Sequence, residues 1–132
     1  VVILIAMRES GWLPPKLESF MWRQLAAAYA AQYKLVGGKG MALGLKHLGE
    51  ALDETPENSR VYLDPWTGGD LETFAHPEKA SYIFGRAGDD CRRWRKPEDC
   101  VVRINTPNRV DMFAVQAAAI VLHDRQRKNG DR

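Results

Sequence analysis

Six apolar residues open the chain without a break, Val1-Val2-Ile3-Leu4-Ile5-Ala6, and most of them are β-branched. A strand with one wet face alternates apolar and polar residues. An unbroken run is the pattern of a strand covered on both faces, as in a parallel sheet flanked by helices. Such a strand demands a layered fold with enough chain to cover it twice. With 132 residues the chain fits one domain, and 45% hydrophobic residues supply a core. The 19 Lys and Arg against 17 Asp and Glu give a balance far from that of a disordered chain, and a net charge of +2 decides nothing about nucleic acid. The opening run is far below the roughly 18–20 apolar residues that span a bilayer, and it lacks the flanks of a secretion signal. We therefore expect no membrane partner and a cytoplasmic home.

The rest of the chain alternates strand and helix. Pro14-Pro15 suits a helix start, and Leu17, Phe20, Met21, Leu25, Ala28 and Tyr29 recur at helical spacing over about five turns. Lys34-Leu35-Val36 is a short strand stopped by Gly37-Gly38, and Met41 to Leu52 a weaker helix interrupted by Gly44 and Gly49. Three further strands follow at Arg60 to Asp64, Ala80 to Phe84 and Cys100 to Ile104. Asp111 opens a last helix through Leu122 that is apolar nearly all round and is expected to be buried. We expect one α/β layered domain on a mostly parallel sheet over residues 1–124, with 125–132 a polar C-terminal tail. In such sheets ligands bind outside the carboxyl ends of the strands, so the loops after Leu63, Phe84 and Ile104 are the place to look for function.

Local motifs exclude several chemistries. Gly37-Gly38-Lys39-Gly40 lacks the spacing and the following Ser or Thr of a phosphate loop, and there is no nucleophile elbow or His-Glu zinc helix. Cys91 and Cys100 are too few for a disulfide framework and not at zinc-ribbon spacing, so no metal is expected. His47, His76 and His123 read as surface or half-buried residues with no partner for a dyad. Gly85-Arg86-Ala87-Gly88 is a tight strand-end turn or a place where a ligand approaches the backbone. Asp111 has two readings, an N-cap of the last helix and a carboxylate able to act as a base. From Arg86 to Arg109 seven basic residues face four acidic ones. Arg86, Arg92, Arg93 and Arg95, with Trp94 among them, could hold phosphates and stack a base, the alternative being a solvated loop.

The end of the chain carries a family pattern. Tyr82-Ile83-Phe84-Gly85, then Ile104-Asn105-Thr106-Pro107 and Asp111-Met112-Phe113-Ala114 running to Leu122, resembles the last two motifs of the SpoU (TrmH-like) branch of the SPOUT methyltransferases. The motif match covers residues 80–124, and the order of elements agrees over nearly the whole chain. The resemblance implies an α/β trefoil knot, a homodimer, S-adenosylmethionine as cofactor, and methylation of a ribose 2′-hydroxyl or a base in tRNA or rRNA. By position, Leu63, Asp64, Gly85, Ile104 and Met112 would bind the cofactor. Arg23 stands for the family's Arg that helps activate the acceptor, and Asp111 for its Ser, so these two are the candidate catalytic residues. Three departures touch the chemistry: Ala87 replaces the usual Glu, and Asp111 and Phe113 the Ser and Asn of the final triplet. Two functions are therefore expected in competition, an RNA methyltransferase and a catalytically inactive knotted dimer that binds or regulates.

Overall fold

The computed structural model describes residues 2–7, 13–36, 48–85, 95–108, 110 and 112–130. Strand β1 (Val2–Ala6) is as enclosed as its composition demands, with Ile3, Leu4, Ile5 and Ala6 all buried. Its alternation sorts them between two cores. Leu4 and Ala6 pack with Trp22, Val61, Tyr82 and Phe84 on one face, and Ile3 and Ile5 with Leu48, Leu52, Tyr62 and Ile83 on the other. Helix α1 (Pro15–Ala28) contributes Trp22 and Ala26 to the first core, and α2, described over 48–53, contributes Leu48, Ala51 and Leu52 to the second. The result is a sheet between two layers.

Strand β2 (Gln32–Leu35) pairs with β1, and Val36 continues the ladder by donating its amide to the Ala6 carbonyl at 2.7 Å. Strands β3 (Ser59–Leu63), β4 (Gly69–Asp70), β5 (Ala80–Phe84) and β6 (Cys100–Arg103) complete the order β2-β1-β5-β3-β6-β4, and every pairing is parallel. The chain thus leaves β3 outward to β4 and returns to place β5 between β1 and β3. This is the expected single α/β domain on a parallel sheet.

Three elements depart from the sequence reading. Strand β4 was not foreseen, because two residues after Gly68 carry no pattern; a one-turn 3₁₀ helix, Leu71–Thr73, follows it. Helix α1 forms where expected but turns a different face inward: Glu18, Trp22 and Ala26 are buried, while Leu17 and Phe20 are exposed. The large indole wins the inward position by stacking on Tyr33 at 5.1 Å and packing on Phe84 at 5.6 Å. Helix α3 (Ala114–Asn129) begins after the expected Asp111. The Gln116 side chain reaches back to accept the Phe113 amide at 2.9 Å, which fixes the helix start, and Asp111 itself lies outside the described residues. Nor does α3 stop before Arg125. It runs to Asn129 and is closed by Gly130 in the left-handed region at φ 71°, so most of the expected polar tail is its last turns. Finally, α3 is not buried all round: Val115, Ala118, Val121 and Leu122 face the core, and Ile120 and His123 are exposed.

Candidate functional site

Parallel register brings four of the five expected cofactor residues, Leu63, Asp64, Gly85 and Ile104, to the same ends of neighbouring strands. Leu63 lies opposite Phe84 in β5 and Val102 in β6, so the chain leaves three neighbouring strands on the same side, at Asp64, Gly85 and Ile104. Leu63 is buried, and Gly85, Ile104 and Met112 are half-buried. Arg23 sits exposed on α1.

Asp64 organises this edge. Its amide donates to the Val102 carbonyl at 2.9 Å, extending the β3–β6 ladder by one residue. Its Oδ1 accepts the amides of Trp66 at 2.8 Å and Thr67 at 3.1 Å, bending the chain after Pro65 into an Asx-type turn. Its Oδ2 accepts the Thr67 hydroxyl at 2.7 Å and the Arg95 guanidinium at 2.8 Å. Burial alone would raise this carboxyl. The Trp66 amide, Arg95 and Thr67 outweigh it and bring the pKa down to about 2. Asp64 is therefore ionised at any working pH, and its carboxylate is turned into its own loop. A ligand here would meet its main chain.

The same contact changes the reading of Arg95. Its side chain is only 11% exposed, its guanidinium lies 5.8 Å from the Tyr62 ring centroid, and it is engaged with Asp64 inside the molecule. In this arrangement the guanidinium is engaged with a carboxylate, whereas an RNA contact would need it presented to a phosphate. Arg86, Arg92 and Arg93, expected beside it, lie outside the described residues.

Farther along the edge, Asp70 of β4 accepts from Arg103 Nε at 3.0 Å and from Asn105 Nδ2 at 2.8 Å. The Asn105 amide and, after it, Arg103 hold the Asp70 carboxyl below its usual range. The start of the loop after Ile104 is thereby tied to the sheet edge. A cleft of about 460 Å³ opens between this loop, the 3₁₀ turn and the outer side of α3, walled by Leu71, Ile104, Ala119 and Ile120, with Asn105 and His123 among its polar residues. Of the expected cofactor residues, only Ile104 lines it.

A second polar cluster was missed in the sequence and corrects the reading of His76. The His76 imidazole is fully buried, with Nε2 at 2.7 Å from Asp124 Oδ2 and Nδ1 at 2.8 Å from the Tyr82 hydroxyl. Arg125 donates to that hydroxyl at 3.1 Å, and Arg127 and Lys128 each reach Asp124 at 2.9 Å. Burial pushes His76 down and Tyr82 up from their ordinary values, while His76, Lys128 and Arg127 hold Asp124 down against its own burial. The consistent assignment is a neutral imidazole whose Nε2–H donates to Asp124 and whose Nδ1 accepts from Tyr82. The imidazole itself is enclosed and the group fastens the last turns of α3 to β5, while Asp124 and Arg127 also line the cleft beside α3. His76 and Asp124 are 48 residues apart, so no local signal could have paired them.

Among the described residues no group of three or more His, Cys, Asp or Glu is placed to hold a metal ion, and no helix is long and apolar enough to cross a membrane. No protein-family model matches the sequence, and no curated protein matches it. Solved structures do. A Bacillus anthracis protein assigned as an RNA methyltransferase superposes at a TM-score of 0.70, with 17% identity, over 98% of this chain and 94% of its own. A protein solved in work on 2-OH methylation of C/U34 on tRNA superposes at 0.68, with 12% identity, over 98% and 91%. The SpoU methyltransferase AviRb of Streptomyces viridochromogenes, in complex with AdoMet, gives 0.71 and 16% identity over 99% of this chain, which spans 58% of it. At these identities the likeness establishes the fold, a parallel six-stranded α/β domain of the SpoU methyltransferase type, as the motifs of the last third imply.

Proposed function

We propose that this chain is a SpoU-like RNA methyltransferase that binds S-adenosylmethionine and acts on tRNA or rRNA, as a homodimer with a trefoil knot, in the cytoplasm. The observation that carries the reading is the convergence of Asp64, Gly85 and Ile104 at three adjacent parallel strand ends, in a fold shared with solved RNA methyltransferases. In this reading Leu63, Ile104 and Met112 would offer apolar surface to an adenine ring, and Gly85 has no side chain to keep a ligand from the backbone.

The cofactor supplies a methyl group on a sulfonium, already activated for transfer. The protein's part is to align the acceptor and remove its proton. In this reading Arg86, Arg92 and Arg93 hold RNA phosphates, Arg23 stabilises negative charge on the acceptor, and the Asp111 carboxylate takes its proton. A single carboxylate suits a base nitrogen better than a ribose hydroxyl, whose much higher pKa needs stronger activation.

One observation favours the non-catalytic module instead. Ala87, Asp111 and Phe113 stand where the family's Glu, Ser and Asn would be, so the pocket could persist without the chemistry. Titration with S-adenosylmethionine and transfer of a labelled methyl group to total tRNA and rRNA separate the two. The enzyme reading expects saturable binding, transfer by the wild type, and an Asp111→Asn variant that keeps its affinity and melting temperature but loses transfer by roughly two to four orders of magnitude. Binding without transfer favours the module. No binding at all removes the cofactor from both.

A further inference from the structure

The Asp64–Arg95 pair joins two parts of the chain that lie 31 residues apart. Asp64 ends β3 and sets the path through Trp66 and Thr67 toward β4, whereas Arg95 belongs to the segment that leads into β6. Tyr62 and Asp64 point to the face of the sheet that α2 covers, and the Arg95 guanidinium lies over both, 5.8 Å from the Tyr62 ring centroid and 2.8 Å from Asp64 Oδ2. Such a contact is demanding. A carboxylate this enclosed needs a cation beside it, and a cation this enclosed needs a carboxylate, so neither side chain is at home in another position of its loop.

The consequence concerns the site. Four hydrogen bonds to the Asp64 carboxylate define the conformation of the loop after β3, and one of them, the charged one, comes from a different loop. We infer that Arg95 is a positioning residue for cofactor binding: by pairing with Asp64 it holds the loop after β3 and the segment entering β6 in the one arrangement that can receive S-adenosylmethionine. This rests on the function proposed above. The physical link is population. When a binding-competent loop is only fractionally populated, the apparent dissociation constant rises by the inverse of that fraction, without loss of any direct contact.

Arg95→Met keeps the length of the stem over Tyr62 and removes the charge; Arg95→Lys keeps the charge and loses the planar fork. Hydrogen exchange on the cofactor-free proteins reads the loop, and calorimetric titration with S-adenosylmethionine, at a temperature where each variant is folded, reads the affinity. In Arg95→Met the Trp66 and Thr67 amides should exchange roughly tenfold faster or more, with β1 and β5 amides unchanged. Its dissociation constant should rise roughly five- to thirtyfold, with Arg95→Lys in between. A pair that only adds stability would lower the melting temperature and leave the folded protein's affinity alone, and that result overturns the inference while the proposed function stands. Unchanged exchange at Trp66 and Thr67 overturns it too. Absence of binding by the wild type overturns the proposed function, and the inference falls with it.

Discussion

His76 shows what a single side chain does when its partners close around it. Because burial lowers its pKa, the folded protein holds the imidazole neutral, whereas the unfolded chain takes up a proton near pH 6.5. The sign follows: stability is full above that pH and falls as pH drops below it, since the unfolded state then binds the extra proton. Urea unfolding should therefore show a loss of stability between pH 7 and pH 5 that His76→Gln flattens. The variant should also be less stable at pH 7 by about 1–3 kcal/mol, because it loses a hydrogen bond to Asp124 or to Tyr82 in a buried network. An unchanged pH slope in His76→Gln would mean that another group carries the acid sensitivity. Candidate side chains were visible in the sequence, but their pairings were not. Asp64 was singled out by position and turned out to shape its own loop, and Arg95 was counted with a basic surface although it pairs inward. A residue's type limits the chemistry it can perform; whether it faces solvent or a partner tens of residues away is decided by the fold.

At the level of elements the sequence spoke through periodicity, and it was silent where an element is too short to have any. Strand β4 is two residues long and depends on Gly68, whose φ is 93°. A Cβ at Gly68 would stand 2.5 Å from the Val101 carbonyl oxygen, a backbone atom that cannot swing aside. Gly68→Ala should thus destabilise the protein by roughly 2 kcal/mol or more, since it combines a left-handed conformation with a clash. Gly69, one residue on, has nothing within 4 Å of a Cβ, so Gly69→Ala should lie within about 0.5 kcal/mol of the parent. Equal effects at the two positions in thermal unfolding would contradict this account of the β3–β4 turn. The helices were found more surely than their faces. In α1 the spacing marks the stripe through Leu17, Phe20, Met21 and Leu25, and Trp22 turns the helix away from it because an indole fills the space above Phe84. In α3 the start is decided by Gln116 rather than by an acidic cap, and the polar last turns stay helical because Arg125 and Lys128 hydrogen-bond the carbonyls of Pro77, Glu78, Leu71 and Phe74.

For the whole molecule, the fold class was readable because buried parallel strands announce themselves as largely apolar runs, unbroken in β1 and interrupted only by Ser81 in β5, whose five residues are all buried. The strand order was not, since the insertion of β5 between β1 and β3 depends on crossings that no local pattern encodes. What the single chain leaves uncovered bears on the proposed homodimer. Leu17 and Phe20 on α1 are 47% and 54% exposed, and Ile120 on α3 is 41% exposed. Apolar side chains of this size on two helices of the same layer are what an isologous interface would bury, each copy covering the other's patch. We expect a dimeric mass by light scattering at micromolar concentration, and a monomeric mass for the double substitution Leu17→Glu, Phe20→Glu. Neither side chain belongs to the core of one chain, so charges there should change the monomer's own unfolding free energy by no more than about 0.5 kcal/mol each. A variant that becomes monomeric and still unfolds cooperatively would locate the interface on α1. A wild type that is monomeric removes the dimer from the reading, and a double variant that stays dimeric moves the contact elsewhere, to the Ile120 side of α3, where Ile120→Glu would be the next substitution to break it.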